Sequence, residues 1–219
     1  LRVGIPIRRS PQLIPSAMKV FRGYYPNGEI TLQELNQNGL VELLRQDKLD
    51  LLLCNLAEPY PQLSHIHLHS DPLVFLVHVG HPLCPRAQYR QGFARPWVDL
   101  SLFQEETFLL QHPGQSLRHF TDQVLEETGT LPGRTLLIRN IETAAQMAAN
   151  GLGVSFSLES YLRHMRFVTP PQVFSVGKAQ QAANFSALYR PDVTLPDYTM
   201  RFIQIIKELM SMESTGDFE

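Results

Sequence analysis

The chain has 219 residues, 43% of them hydrophobic and 18% charged, with 13 Gly and 16 Pro, so it can bury a sizeable core and is neither collagen-like nor low-complexity. Nineteen Lys and Arg against 21 Asp and Glu leave a formal net charge of −2. No global field attracts phosphate backbones, and this segment is not expected to grip nucleic acid itself.

Leu1 to Ile7 reads as a strand rather than a signal peptide, and its abrupt opening is expected to mark a domain boundary. The polar turn Arg8-Arg9-Ser10-Pro11 follows. Ile14, Met18 and Phe21 then recur at helical spacing, with Pro15 placing the helix start between Ser10 and Ile14. Tyr25-Pro26-Asn27-Gly28 closes that helix, and Glu29 to Leu35 reads as a strand. The loop Asn36 to Gly39 leads into a helix carrying Leu40, Val41, Leu43 and Leu44. Leu51 to Cys54 is an apolar run of the length and kind that a parallel sheet buries on both faces. The opening therefore reads β-α-β-α-β, a parallel arrangement whose functional loops lie at the carboxyl ends of its strands.

His65 to His69 and Leu73 to Val79 continue as strands, while Cys84 to Asp99 shows no period. A second α/β run follows: strand Thr107–Leu110, helix Ser116–Thr128 stopped by Gly129, and strand Thr135–Ile138. The alanine-rich helix Ile141–Asn150, strand Gly153–Ser157 and short helix Leu158–His164 complete it. Phe185 to Tyr189 reads as a strand returning to the first sheet. Tyr198 to Met212 reads as a helix, and residues 213–219 as a frayed end. Two α/β units with a crossing and returning chain imply two lobes and a cleft.

Several pieces carry a resemblance. Leu1-Arg2-Val3-Gly4 with Leu13-Ile14-Pro15 comes first, then Phe21-Arg22-Gly23-Tyr24-Tyr25-Pro26 and Leu43-Leu44-Arg45-Gln46-Asp47-Lys48-Leu49-Asp50. Pro72-Leu73-Val74, Gly80-His81-Pro82-Leu83 and Ala148-Ala149-Asn150-Gly151-Leu152-Gly153-Val154 follow in order. Together they resemble the effector-binding (regulatory) domain of LysR-type transcriptional regulators, relatives of the type II periplasmic binding proteins. Asp47-Lys48 stands where a glycine is usual, Asn150 replaces an alanine, and Leu158 replaces a common proline.

The resemblance implies an α/β fold of two Rossmann-like lobes joined by two crossover strands, residues 1–77 with 184–219 and residues 78–183. It implies a cleft that holds a small effector, expected to be anionic, and couples its binding to oligomer rearrangement and transcription. Carried over position by position, the effector-binding residues are Arg8, Arg9, Ser10, Gln37, Asn38, Asn55, Gln115, Ser116 and Asn140. Independently, Ser10 and Ser116 precede helical runs, where free N–H groups and the dipole favour an anion, and a guanidinium fork suits a carboxylate or phosphate. The same residues also serve as ordinary caps, turns and loops. The implied partners are a small anionic metabolite, a second copy of the domain, a tetramer at full length, and promoter DNA through a winged helix-turn-helix domain absent from this chain. No membrane is expected, and the implied setting is cytoplasmic. A secreted solute-binding protein of a transporter is the alternative.

Other chemistries find little support. His65, His67 and His69 alternate on one strand face, with His78 and His81 nearby, but the ligand set for a metal is incomplete, so no metal or cofactor is expected. Cys54 and Cys84, thirty residues apart, read as free thiols of a reducing compartment, with Cys54 expected to be buried. No phosphate loop, G-x-S-x-G elbow or H-E-x-x-H motif is present, and adjacent Glu105 and Glu106 diverge, so no catalytic residues are assigned and no enzyme is expected.

Overall fold

The computed structural model describes residues 1–56 and 60–215. The chain divides into two compact units, Leu1–Ser70 with Asn184–Glu219, and Asp71–Ala183. In the first unit, strand β1 (Arg2–Pro6), helix α1 (Ser10–Tyr24), β2 (Thr31–Leu35), α2 (Gln37–Arg45) and β3 (Leu51–Leu56) follow one another. β1 pairs in parallel with both β2 and β3, as the alternating sequence requires. β9 (Ala182–Tyr189) returns to this sheet and lies antiparallel to β3, while α6 (Asp197–Thr215) closes the unit. Of the frayed end expected over 213–219, residues 213–215 instead continue α6, and residues 216–219 lie outside the described residues.

The sheet is covered on both faces, which is why β3 is apolar from Leu51 to Cys54. Val3, Ile5, Leu51, Leu53 and Phe185 pack against Ile14, Ala17, Phe21, Phe202 and Ile206 of α1 and α6. Leu52, Cys54 and Leu188 meet Leu40, Val41 and Leu44 of α2 on the other face. α1 begins at the early end of the expected range: Pro11 occupies its first turn and Pro15 lies inside it.

At the end of α2, Asp47 takes a positive φ of 57°, which accounts for the glycine usual at this turn. Its strain is offset by ion pairs from its carboxylate to Arg2 at 2.9 Å and Arg190 at 2.7 Å. Asp50 accepts from the backbone N–H of Arg2 at 2.7 Å and from its Nε at 3.0 Å. The network ties the α2–β3 turn to β1.

The second unit repeats the plan with β5 (Thr107–Leu110), α3 (Ser116–Thr128), β6 (Arg134–Leu137), α4 (Ile141–Ala149) and β7 (Val154–Leu158). β5 is parallel to both β6 and β7. α3 ends at Gly129 in the left-handed region, φ 66°, as the sequence indicates. The alanines of α4 let it approach closely, so Ala144, Ala145 and Ala148 pack on Val74, Leu76 and Leu109. α5 (Glu159–Leu162) is shorter than expected.

Two differences from the sequence reading concern pairing. The two strands expected between His65 and Val79 form one long strand, β4 (Ser64–Val77). Residues 71–77, expected with the first lobe, fall in the second unit, because Leu73–Leu76 pair with β7 and Phe75–Val77 with β8 (Gln172–Phe174). β8 carries no period of its own in the sequence.

Candidate functional site

In a β-α-β-α-β unit, the helices start beside the carboxyl ends of the strands, so their first N–H groups face the same rim. The two units meet those N–H groups in the same alternating way. α2 is capped by Asn36, whose Oδ1 accepts from Gly39 N at 2.9 Å, and α4 by Asn140, whose Oδ1 accepts from Thr143 N at 3.1 Å. α1 and α3 begin at Arg9 and Gln115, and neither residue supplies a side-chain cap. The structure thus corrects the expectation that Ser10 and Ser116 are caps: each is the first residue inside its helix. Each uncapped start keeps the positive end of a helix of three or more turns at the rim.

In the first unit the residues around that start come together. Of the two arginines, Arg9 is the buried one, 2% exposed, and its guanidinium lies 4.8 Å from the centre of the Phe185 ring. Arg8 is only half-buried. Asn55, expected in a loop, is instead the fifth residue of β3 and is 5% exposed. It stands directly opposite Phe185 in the antiparallel register, so their side chains share the face on which Arg9 sits. Its Oδ1 meets no hydrogen-bond partner among the described residues. Gln37, also expected in a loop, lies in the first turn of α2, where its Nε2 donates to the Asn55 carbonyl at 3.0 Å and to the Tyr60 hydroxyl at 3.3 Å. It positions the end of β3. Asn38 is exposed on the same helix turn and is not brought to this cluster.

In the second unit, Gln115 holds the loop rather than facing outward. Its Oε1 accepts from His112 N at 3.1 Å and its Nε2 donates to the Arg139 carbonyl at 3.0 Å, tying the β5–α3 turn to the start of α4. Asn140 is occupied as the α4 cap and is exposed. The residue that sequence reasoning missed is Gln111. It follows β5 directly and is fully buried, yet neither its Oε1 nor its Nε2 has a hydrogen-bond partner among the described residues. Arg118 Nη1 donates to its carbonyl at 2.9 Å and fixes its backbone. Its one signal in the sequence is a polar residue straight after the apolar run Thr107-Phe108-Leu109-Leu110. Buried carboxamides are nearly always paired, so Asn55 and Gln111, at the ends of β3 and β5, require an explanation.

The remaining candidates contribute less. Burial pushes the Cys54 thiol up to about 12 and raises that of Cys84, so neither is a ready thiolate. His65 and His67 lie on the outer face of β4, where His67 Nε2 meets Ser70 Oγ at 3.3 Å. Among the described residues, no group of three or more His, Cys, Asp or Glu side chains is placed to hold a metal, and no helix is long and apolar enough to cross a membrane.

Residues 1–211 match the LysR substrate binding domain family. The chain is 26% identical over 166 residues to the HTH-type transcriptional regulator YcgK of Bacillus subtilis, covering 72% of this chain and 51% of that protein. It is 25% identical over 155 residues to the HTH-type transcriptional regulator CbbR of Rhodospirillum rubrum, covering 71% and 48%. The chain therefore spans about half the length of the curated relatives it matches. Among solved structures, the BenM effector binding domain with its effector benzoate superposes with a TM-score of 0.79 at 18% identity, covering 100% of this chain and 95% of that one. The fold is thus that of the effector-binding domains of LysR-type regulators, and the named relatives are regulators rather than enzymes. With its match running almost from end to end, this chain belongs to the LysR substrate-binding domain family.

Proposed function

We propose that the chain senses a small anionic effector and, as the effector-binding half of a LysR-type regulator, passes its binding on to transcription. The observation that carries this reading is the start of α1: the uncapped N-terminus of a 15-residue helix beside the buried Arg9 guanidinium and the Asn55 carboxamide oxygen, which has no partner among the described residues. The backbone N–H groups and helix dipole favour an anion, and a guanidinium adds a bidentate fork. Ser10 lies in the same first turn, and Arg8 adds charge from the preceding turn. In the second unit, taken by itself, the start of α3 with Ser116 and the Gln111 carboxamide form the comparable set. Gln37, Gln115 and Asn140 hold the rim in shape. The BenM domain bound to benzoate, a carboxylate, supports the choice of ligand class.

In this reading the effector acts through unequal affinity for two arrangements of the oligomer. The domain pairs with a second copy, the full-length regulator is a tetramer, and a DNA-binding segment outside these 219 residues docks on a promoter in the cytoplasm. The comparisons do not favour the secreted solute-binding alternative, since the relatives are named as regulators.

The test is a carboxylate screen by thermal shift on this chain, followed by calorimetry. A true ligand at 100 times its Kd adds about 2.7 kcal/mol of stability. Arg9→Gln is expected to weaken binding at least tenfold, and Arg8→Ala by less. An unchanged affinity in Arg9→Gln removes the guanidinium from the site, and a screen without any hit overturns the reading.

A further inference from the structure

We propose that Asn55 makes this chain selective for carboxylates that also carry a hydrogen-bond donor, a hydroxyl or an ammonium, over plain carboxylates. The inference rests on the anionic-effector reading and adds to it the class of ligand.

The argument is one of donors and acceptors. A carboxylate offers acceptors only, which the Arg9 guanidinium and the first N–H groups of α1 can meet. The Asn55 Oδ1 is itself an acceptor, buried on the same face as Arg9 and without a partner among the described residues. A carboxylate oxygen brought near it would oppose acceptor to acceptor. A hydroxyl or ammonium on the same ligand would instead donate to it. The Asn55 backbone is held by Gln37 Nε2 at 3.0 Å, so the carboxamide is presented from a fixed strand end rather than a pliable loop.

In the second unit, taken by itself, Gln111 poses a broader demand, for a donor and an acceptor. Both ends of its buried carboxamide are unpaired among the described residues, and a hydroxyl, which both donates and accepts, is a small group able to serve either end. A site built to bond a hydroxyl rejects the analogue lacking it, because its polar atoms are then left buried and unmet.

The experiment titrates this chain with matched pairs: lactate against propionate, malate against succinate, 4-hydroxybenzoate against benzoate, and alanine as the aminated member. In the pairs that bind, the donor-bearing member is expected to bind at least tenfold tighter. Asn55→Leu, close in volume and without the acceptor, is expected to abolish that preference while melting, ligand-free, no lower than the parent chain. Equal affinity within pairs on the parent chain overturns the inference and leaves the anionic-effector reading standing; that comparison needs no variant. A preference that persists in Asn55→Leu overturns the role of Asn55. A ligand-free melting point that drops in this variant assigns the carboxamide a structural task and overturns the proposal as well. If no carboxylate of either kind binds, the anionic-effector reading itself falls, and this one with it.

Discussion

The two units share one β-α-β-α-β plan, and in both the second helix is capped by an asparagine while the first is left without a side-chain cap. They differ in what they bury at the rim. The first unit places a guanidinium, Arg9, over an aromatic ring on the face of the Asn55 carboxamide oxygen, which has no partner among the described residues, whereas the second buries the neutral carboxamide of Gln111. Arg118, on the first turn of α3, is engaged with Asp122 at 2.6 Å and with the Gln111 carbonyl. One scaffold thus buries a charged group beside the first helix start in one unit and a neutral carboxamide in the other. Helix placement makes a site possible; the few side chains at strand ends decide its chemistry.

The largest expected effect tests that contrast directly. Phe185→Ala and Phe156→Ala each empty a fully buried aromatic position and are expected to cost about 3–5 kcal/mol in urea unfolding. Only Phe185→Ala also removes the ring beneath Arg9, so it alone should weaken effector binding. Equal loss of affinity in both would erase the proposed division of labour.

Helix starts come next. Asn36→Ala and Asn140→Ala are each expected to lose about 1 kcal/mol, the usual value of a side-chain cap. Ser10→Ala and Ser116→Ala, both inside their helices, should lose only about a few tenths of that in ligand-free protein. Cap-sized losses at the two serines would restore the simpler picture that the sequence invited.

Acid separates the units more gently. The hydrogen bonds from Arg2 and then Arg190 hold the Asp47 carboxyl below its ordinary value of 3.8. For Asp50, burial is the largest influence and pushes upward, yet the side-chain and backbone bonds from Arg2, with its charge, carry the balance below 3.8. A carboxyl with a lowered folded value contributes stability that is complete above its unfolded value and lost as the pH falls through the folded one. Amide exchange followed from about pH 5 to about pH 2 should show the α2–β3 turn and β1 loosening only below the unfolded value. Arg2→Met should flatten that acid response in the first unit and leave the second unit unchanged.

The smallest effect is an expected failure to react. A thiol reagent at neutral pH should leave Cys54 untouched in the folded chain, with its thiol raised to about 12, and modify the partly exposed Cys84 slowly. Rapid labelling of Cys54 would show that the first unit opens around β3.

Much of this was legible from the residues alone. Periodicity and terminators placed α3 to the residue, because Gly129 leaves no other conformation so cheap, and the apolar run of β3 announced a strand covered on both faces. Of the residues that the family motifs singled out in the first unit, Arg9 lies over Phe185 and Asn55 stands opposite it in the β3–β9 register. Pairing across distance was not legible: β4 is one strand, β8 is a strand at all, and residues 71–77 belong to the second unit only because β7 is there to bond them.

Sequence by itself therefore determined the order of elements and the nature of their core faces, since 3.6- and 2-residue periods and turn chemistry act within a few residues. Tertiary structure alone decided which polar groups lack partners. Whether Asn140 is spent on a cap, Gln115 on a neighbouring carbonyl, or the Gln111 carboxamide on nothing among the described residues depends on atoms distant in sequence and near in space.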